Sequence, residues 1–382
     1  MTNKAVNKVM LLAGAVAVAG AAAFVLWPAS PRPPIEATIN VREALAEERA
    51  GFAQALVPRA LSFPDDHGPH PDFRTEWWYY TGNLTTAAGR HVGFQLTIFR
   101  VALAPVEQPR ASAWATRQLY VGHFAVTDTA GGRFHAARRT SRAALGLAGA
   151  QTAPFRVWVE DWSADGDGEA TRLRAAEGDV AIDLTLLPGK APVLHGERGL
   201  SRKGPEPGNA SFYYSFTRMP ARGVVRLGTE TLAVSGEAWM DREWSTSALG
   251  PLIEGWDWFA IQLEDRRELM VYLLRRRDGT VDPFSAGSLV TADGYVHRLE
   301  AADVRIETLA HWTSPRSGVR YPARWRLRVP SAALELTLEP RLAPQELLVG
   351  TRYWEGAVSV TGVSAGQPTA GQGYVELVGY GE

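Results

Sequence analysis

The sequence has 382 residues, more than one ordinary domain needs and enough for about two. Its 40 basic and 41 acidic residues nearly balance, so the chain lacks the basic character typical of nucleic-acid-binding proteins. The absence of cysteine excludes disulfide bonds, thiol catalysis and cysteine-ligated metals, and the 37 glycines and 24 prolines favour many short strands joined by turns.

The first distinctive segment along the chain is uncharged and apolar. Residues 9–27 follow Lys4 and Lys8 and precede a proline-rich stretch at 28–34. A run of this length can span a bilayer, and the two lysines favour the cytoplasm for its N-terminal end. Further apolar residues follow the small-residue site at 21–23, so the sequence predicts export with retention as an inner-membrane anchor in preference to cleavage.

The next predicted elements are a short helix and a loop that contains histidines. Apolar residues recur at helical spacing over residues 41–56, which predicts an amphipathic helix. The loop that follows carries His67, His70 and Asp72. Its prolines disfavour a helix, so the spacing of these side chains does not place them on one face, and no metal site is predicted.

Most of the remaining chain has the pattern of β-strands. Phe94, Leu96 and Ile98 alternate with their neighbours, as expected of a half-buried strand over residues 93–101. Similar runs predict strands at residues 77–80, 118–126, 155–161, 180–187, 212–217, 235–244, 353–358 and 371–380.

Residues 235–259 form the most unusual stretch of the sequence. It contains four tryptophans and five carboxylates: Trp239, Trp244, Trp256, Trp258, Glu237, Asp241, Glu243, Glu254 and Asp257. Side chains alternate between the faces of a strand. One face of residues 235–244 therefore carries Glu237, Trp239, Asp241 and Glu243, and the other carries Ala238, Met240, Arg242 and Trp244.

This acid-rich face has a functional and a structural interpretation. Carboxylates beside large aromatic rings lose hydration, which raises their pKa towards the range useful for acid catalysis. Asp241 is then the candidate general acid, and Glu76 or Glu243 sets its proton state. In the structural interpretation the acids pair with Arg242 or Arg266 and the tryptophans fill a core.

Signatures of several other enzyme classes are absent from the sequence. Ser201 and Lys203 are not part of a G-x-S-x-G elbow, so serine hydrolysis is not expected. The sequence has neither a Walker loop nor a dinucleotide-binding fingerprint, so no cofactor is predicted.

A weak internal repeat indicates two related halves. Residues 77–100 and 256–276 each begin with aromatic residues, pass through a polar hairpin loop and end on arginine. The predicted divisions are an anchor and linker at 1–38, an N-terminal domain at 39–234 and a C-terminal domain at 235–382.

Several motifs, in order along the chain, resemble one protein family. They are HPDFRTEWWYYTGNL with GFQLTIFR, SGEAWMDREWS with GWDWFAIQL and ELMVYLLRRRDG, and YWEGAVSVTG with GYVELVGY. The chain is similar over about residues 63–380 to the AttH-like, lipocalin-like family, often labelled predicted secreted hydrolases and related to carotenoid 1,2-hydratase. The resemblance implies an all-β fold of two lipocalin-like (calycin-type) barrel or sandwich domains, a periplasmic location and an association with ABC transport systems. Relatives include hydratases, isomerases and cyclases that act on apolar molecules.

The resemblance transfers to individual residues only in part. The hydratases have an aromatic-x-Asp pair, which Trp239 and Asp241 match. Their His-x-Trp pair corresponds to residues 212–214, which lack histidine, so carotenoid-type hydration is not expected. The predicted catalytic residues are Asp241, Glu76 and Glu243, and the predicted ligand-binding residues are Trp77, Trp78, Tyr80, Tyr214, Trp239, Trp244, Trp256 and Trp258.

These features support two hypotheses about function. One is an enzyme that hydrates, isomerises or cyclises a lipid-, terpenoid- or polyketide-like molecule, and the other is a non-catalytic lipid-binding accessory of an ABC export system. A purely structural scaffold is a third interpretation. Because the aromatic-acidic stretches at 76–80 and 239–258 fall early in each half, we expect them to share a pocket between the domains. The alternative is that each cluster plugs its own barrel.

Overall fold

A computed structural model describes residues 50–106, 111–166, 168–247 and 249–381. The predicted anchor and linker at 1–38 lie outside the described residues, as does the first part of the predicted helix at 41–56. The rest of that helix is not observed, because residues 50–56 adopt turns and irregular backbone. Gly51 has a φ of +92°, which a right-handed helix does not allow.

Thirteen strands of the described residues form the first sheet, in which every pairing is antiparallel. They are β1 (Thr75–Thr85), β2 (His91–Ala102), β3 (Gln118–Asp128), β4 (Arg133–Arg142), β5 (Ala148–Gln151), β6 (Phe155–Val159), β7 (Trp162–Gly166), β8 (Thr171–Glu177), β9 (Val180–Leu186), β10 (Val193–Leu194), β11 (Leu200–Arg202), β12 (Ala210–Leu227) and β13 (Glu230–Ser245). The order is β4-β3-β2-β1-β13-β12-β9-β8-β7-β6-β5, with β10 and β11 also paired to β12. Strands β3 and β4 at one edge approach β5 and β6 at the other, so the sheet curls towards a barrel.

Ten described strands form the second sheet, which is also antiparallel. They are β14 (Ile253–Leu263), β15 (Glu268–Arg276), β16 (Ala286–Val290), β17 (Val296–Glu300), β18 (Arg305–Thr313), β19 (Arg320–Val329), β20 (Leu334–Pro340), β21 (Glu346–Leu348), β22 (Arg352–Ser364) and β23 (Gln367–Val378). The order is β17-β16-β15-β14-β23-β22-β20-β19-β18, and β21 pairs with β22. Helix in the described chain is limited to 3₁₀ turns at Asp65–His67, Ala301–Asp303 and Pro330–Ala332.

The predicted fold class is confirmed, whereas the strand pairing does not match the predicted boundary between the two domains. The chain is nearly all-β, with two curled, near-barrel sheets. The predicted division after residue 234 falls inside β13, which pairs along its whole length with β12 of the first sheet. By sheet membership the halves therefore divide between Ser245 and Ile253.

Four apolar clusters lie among the described residues, and three of them are large. One fills the interior of the first sheet and includes Trp78, while a second fills the interior of the second sheet and includes Trp325. A third lies between the sheets and joins Tyr79 and Trp239 from the first to Trp258 from the second. The residues of both sheets belong to one compact unit, so the surfaces that meet in the third cluster form a buried interface.

Candidate functional site

A pocket with a cavity volume of about 100 Å³ lies between the two sheets, and we call it the intersheet pocket. The first sheet and its loops contribute Trp77, Tyr79, Phe99, His123, Lys203, Tyr213, Asp241 and Glu243. The second sheet and its flanking segments contribute Leu249, Trp256, Trp258, Tyr272, Leu274, Thr351, Tyr353, Glu376 and Val378. The volume exceeds the roughly 10–15 Å³ that a single water molecule needs. The lining combines aromatic rings with a few convergent polar groups, as in small-molecule sites.

Side-chain alternation decides which residues reach this pocket. In β13, Asp241 and Glu243 face the intersheet pocket, whereas Met240 and Trp244 face the interior of the first sheet. The alternation predicted from the sequence is therefore observed. The aromatic stretches also meet as expected: the rings of Tyr79 and Trp258 lie 5.2 Å apart in an edge-to-face arrangement.

Asp241 is a buried acid on the first-sheet wall and is only 5% exposed. Its Oδ2 accepts a hydrogen bond from the Tyr213 hydroxyl at 2.6 Å. Its Oδ1 accepts one from the Trp239 indole N–H at 2.6 Å and a close one from Ser215. Burial, helped by the charge of Glu243, raises the pKa of Asp241 to about 7 against these three bonds. A large share of the protein therefore carries a neutral Asp241 at neutral pH.

A buried hydrogen-bonded chain continues from Asp241 through Ser215. The Ser215 hydroxyl lies 2.7 Å from His195 Nε2, and His195 Nδ1 lies 3.0 Å from the Ser288 hydroxyl in β16. Burial, together with the charge of Lys203, lowers the pKa of His195 to about 3, so its imidazole is neutral. The Ser215 hydroxyl can donate to either neighbour, and it can accept the Asp241 proton while it donates to His195.

The second sheet supplies two further acids, of which Glu355 is buried and Glu376 is partly buried. Glu376 Oε1 accepts a hydrogen bond from the Trp256 indole N–H at 2.5 Å and lines the pocket. Glu355, its direct cross-strand partner, accepts a bond from the Tyr79 hydroxyl at 2.6 Å. Burial raises the pKa of both carboxyls, and the charge of Glu376 raises that of Glu355 further. Each wall of the pocket therefore carries a carboxyl that holds its proton more tightly than usual.

Lys203 brings a cation to the same pocket. Its Nζ lies 3.7 Å from Glu243 Oε1 and 3.6 Å from the centre of the Tyr272 ring. His123 also lines the pocket, but burial lowers its pKa to about 3, so it is neutral. Lys203 therefore balances Glu243, and no described cation forms an ion pair with Asp241.

Glu76, a predicted catalytic residue, does not reach the intersheet pocket. Its carboxylate accepts close hydrogen bonds from Arg100 and Arg242, and all three side chains are fully buried. Burial alone would raise its pKa, but the two guanidinium groups hold the pKa well below its usual range. The sequence prediction is corrected here because Glu76 faces the opposite side of β1 from Trp77 and Tyr79, and it stays ionised.

Four predicted ligand-binding residues are also on the interior side of the first sheet. The set is Trp78, Tyr80, Tyr214 and Trp244, all buried in the first-sheet core. The Trp78 indole N–H donates to the backbone carbonyl of His67 at 2.8 Å, and the Trp244 ring stacks on His70 at 3.7 Å. These four do not line the intersheet pocket, whereas Trp77, Trp256 and Trp258 do. Trp239 does not line the pocket itself but donates a hydrogen bond to Asp241, which does.

Several residues of the pocket were missed from the sequence. Tyr79 and Tyr213 could have been found, since each sits one residue from a predicted site residue on the other face of the same strand. Glu376 and Lys203 carried no local signal, because cross-strand pairing and loop placement bring them to the pocket.

The described residues contain neither a cluster of metal ligands nor a membrane-spanning helix. No group of three or more His, Asp or Glu side chains in this part of the chain is arranged to hold a metal ion. No helix among the residues that the structure describes is long and apolar enough to cross a membrane.

Comparison with solved structures identifies relatives along nearly the whole chain. A protein from Nitrosomonas europaea described as an AttH is 36% identical, with a TM-score of 0.77, and the alignment covers 86% of this chain and 100% of that one. Kievitone hydratase from Nectria haematococca is 16% identical with a TM-score of 0.66, and 88% of this chain and 98% of the hydratase are covered. CghA, in a structure with Sch210972, is 15% identical with a TM-score of 0.52, and 87% and 97% of the two chains are covered.

The last two relatives share the fold at low identity. No curated protein matches the sequence significantly. The AttH-like family profile matches residues 54–380, which include both sheets and the whole intersheet pocket. The protein therefore belongs to the AttH-like family.

Proposed function

We propose that this protein binds an apolar small molecule in the intersheet pocket and that the Asp241 carboxyl protonates it. The observation that carries the proposal is the setting of Asp241. It is an acid that faces an aromatic-lined cavity, has no paired cation among the described residues, and keeps its proton near neutral pH. General acids work best when their pKa lies near the working pH.

The proposed first step transfers the carboxyl proton to carbon. The π electrons of an alkene or enol form the new C–H bond, and Asp241 is left as a carboxylate. Tyr213 and Trp239 already donate hydrogen bonds to its two oxygens, and the Ser215 hydroxyl turns from His195 to donate a third once the proton has left, so the new negative charge requires little reorganisation. The developing positive charge on the substrate is stabilised by the aromatic faces of the lining, by cation–π attraction.

The second step decides the reaction class. Water adds to the cation in a hydration, an internal double bond adds to it in a cyclisation, and a carboxylate removes a neighbouring proton in an isomerisation. Glu376 on the opposite wall is placed to accept such a proton in its ionised fraction. Kievitone hydratase has a two-sheet fold of the same kind, so the fold is compatible with hydration chemistry. The sequence identity is too low to carry the substrate across.

Deuterium incorporation tests the proposal before the substrate is known. The full chain is incubated in D₂O with mixtures of terpenoid, polyketide and unsaturated lipid compounds, and products are analysed by mass spectrometry. Asp241 exchanges its proton with solvent, so hydration, isomerisation and cyclisation each place deuterium on carbon. We expect Asp241→Asn to lower incorporation about 10²- to 10⁴-fold, the usual contribution of a general acid.

The matched control is Asp257→Asn. Asp257 is also a buried acid with a raised pKa, which burial causes, but it pairs with Arg275 and Tyr380 and does not line the pocket. This variant should keep incorporation. If no compound that binds gains deuterium, the protein is a carrier and the catalytic proposal is wrong. If Asp241→Asn retains full incorporation, another group supplies the proton and the role of Asp241 is wrong.

We also propose that the protein acts on the periplasmic side of the inner membrane, held by residues 9–27. The support is the uncharged run of this segment behind Lys4 and Lys8. Fractionation of the native host should find the chain in the inner-membrane fraction and release it with detergent. A soluble mature chain that begins after Ala23 would contradict the anchor. The association with an ABC transport system stays a prediction, tested by co-purification from solubilised membranes.

A further inference from the structure

A second cavity lies inside the first sheet, on the other face of the strands that carry the catalytic candidates. Its volume is about 300 Å³, against about 100 Å³ for the intersheet pocket. We call it the first-sheet cavity, and its lining includes Tyr80, Phe155, Leu186, Phe216, Met219 and Met240. A volume of this order is at the lower end of the roughly 300–1,000 Å³ typical of small-molecule sites.

One imidazole side chain, His67, lies in this mostly apolar lining. Its ring is surrounded by the rings of Phe63, Phe155, Tyr214 and Phe216, with centroids 5.1 to 6.3 Å away. Burial, helped by the charge of Arg242, lowers the pKa of His67 to about 4, so the imidazole is neutral at physiological pH. A neutral imidazole offers one donor and one acceptor.

Only one of the two ring nitrogens of His67 has a protein partner. Nδ1 lies 2.6 Å from the Tyr214 hydroxyl, which is also 3.3 Å from the backbone carbonyl of Asp66. No described residue forms a hydrogen bond with Nε2, and His67 lines the cavity. His67 is partly exposed, so its Nε2 offers a hydrogen-bonding position that a molecule in the cavity can fill.

The chemistry of this position identifies the kind of ligand. If Tyr214 donates to Nδ1, then Nε2 carries the proton and donates; if Nδ1 donates to Tyr214, then Nε2 accepts. A hydroxyl group satisfies either arrangement because it both donates and accepts. A charged group would be disfavoured, since the surrounding rings provide no counter-charge.

We propose that the first-sheet cavity is a second ligand site, separate from the intersheet pocket, which binds an apolar molecule through one hydroxyl group held by His67 Nε2. The site goes beyond the proposed acid catalysis, because Asp241 and the residues that bond to it face the other side of the sheet.

A matched pair of probes tests the hydrogen bond. 2-Naphthol and 2-methylnaphthalene have nearly the same shape and differ in the hydroxyl that His67 would bind. Calorimetric titrations use the purified full chain, with a blank of the same detergent. His67→Phe keeps an aromatic ring in the cavity, so it should leave 2-methylnaphthalene affinity within about twofold and weaken 2-naphthol about five- to tenfold, as the loss of one hydrogen bond predicts.

A second pair of variants tests the location. Thr171 is partly exposed and lines the cavity, whereas Arg172, the next residue of β8, is exposed and forms an ion pair with Asp183. Thr171→Trp should obstruct the cavity and remove one 2-naphthol site from the titration, while Arg172→Trp adds the same side chain to the outer face and should leave that site intact. Equal effects of the two tryptophans, or equal weakening of both probes by His67→Phe, would overturn the proposal.

Each part of the test stands without the others. If Thr171→Trp unfolds, the comparison of the two probes on His67→Phe still decides the outcome. None of these variants changes a residue that lines the intersheet pocket. The deuterium assay on Asp241→Asn can therefore fail while the second site is observed, and the reverse result is equally distinguishable.

Discussion

Glu76 and Asp241 are both buried acids on neighbouring strands, β1 and β13, yet they hold opposite charge states. Glu76 is fully buried between Arg100 and Arg242, which keep its pKa below the usual range. Asp241 is bonded to neutral donors, and burial raises its pKa to about 7. Desolvation acts on both carboxyls in the same direction, so the difference comes from the paired cations.

The contrast separates a structural acid from a chemically useful one. The arginines that stabilise the ionised form of Glu76 also remove any tendency to donate a proton near neutral pH. Asp241 has no paired cation among the described residues, so its carboxyl keeps a proton that it can transfer near neutral pH. The aromatic residues around each acid do not distinguish them, since Trp244 lies near one and Trp239 near the other.

The largest expected effect is a loss of stability when the charge of Glu76 is removed. Glu76→Gln removes the charge that two buried guanidinium groups share, and breaking a buried pair in this way costs about 3–5 kcal/mol. Urea unfolding at pH 7 should show this loss in the free energy of unfolding. Glu335→Gln, in an exposed ion pair with Arg328, should change it far less, because solvent screens that pair. A Glu76→Gln protein as stable as the wild type would mean that the arginines do not depend on this charge.

The second prediction concerns how stability depends on pH. The folded-state pKa of Asp241 is raised from 3.8 to about 7, so between these values the folded protein holds a proton that the unfolded chain has released. This contribution to stability is complete below about pH 4 and is lost as the pH rises towards 7. The wild type minus Asp241→Asn difference in unfolding free energy should therefore fall with rising pH, by up to about 1.4 kcal/mol per pH unit.

The matched difference for Glu76→Gln should slope the other way. The pKa of Glu76 is lowered by its arginines, so its contribution is present above the unfolded pKa of 4.5 and is lost as the pH falls below it. Two differences that slope in the same direction would show that one of the two charge states is wrong.

The sequence predicted the surroundings of Asp241 on β13 better than those of Glu76 on β1. In β13 polar and aromatic residues alternate cleanly, so the face shared by Trp239, Asp241 and Glu243 could be assigned from the strand period. In β1 the run from Trp77 to Tyr80 is aromatic on both faces, because the strand is buried on both sides. The pattern therefore could not show which of these side chains face the pocket.

The remaining site residues depend on long-range pairing. Glu376 reaches the intersheet pocket only because β23 pairs with β14, and the second sheet then packs on the first. Nothing near Glu376 in the sequence signals that pairing. The family resemblance predicted the two-sheet fold. It did not predict the two cations that distinguish Glu76 from Asp241, which are Arg100 on β2 and Arg242 on β13.

The smallest predicted effect is a change in the pKa of Asp241 when a hydrogen-bond donor is removed. Ser215 donates to Asp241 in its ionised form and thereby lowers the Asp241 pKa, so Ser215→Ala should raise that pKa by about one to two units, the equivalent of a hydrogen bond to a charged group. The change is measured by NMR titration of carboxyl-¹³C aspartate between pH 5 and 10, with the Asp241 signal assigned from Asp241→Asn. Ser288→Ala, at the far end of the chain through His195, should move the pKa much less. An unchanged pKa in Ser215→Ala would mean that the serine hydroxyl donates to His195 in both states, and Asp241 would then depend on Tyr213 and Trp239 alone to stabilise its carboxylate.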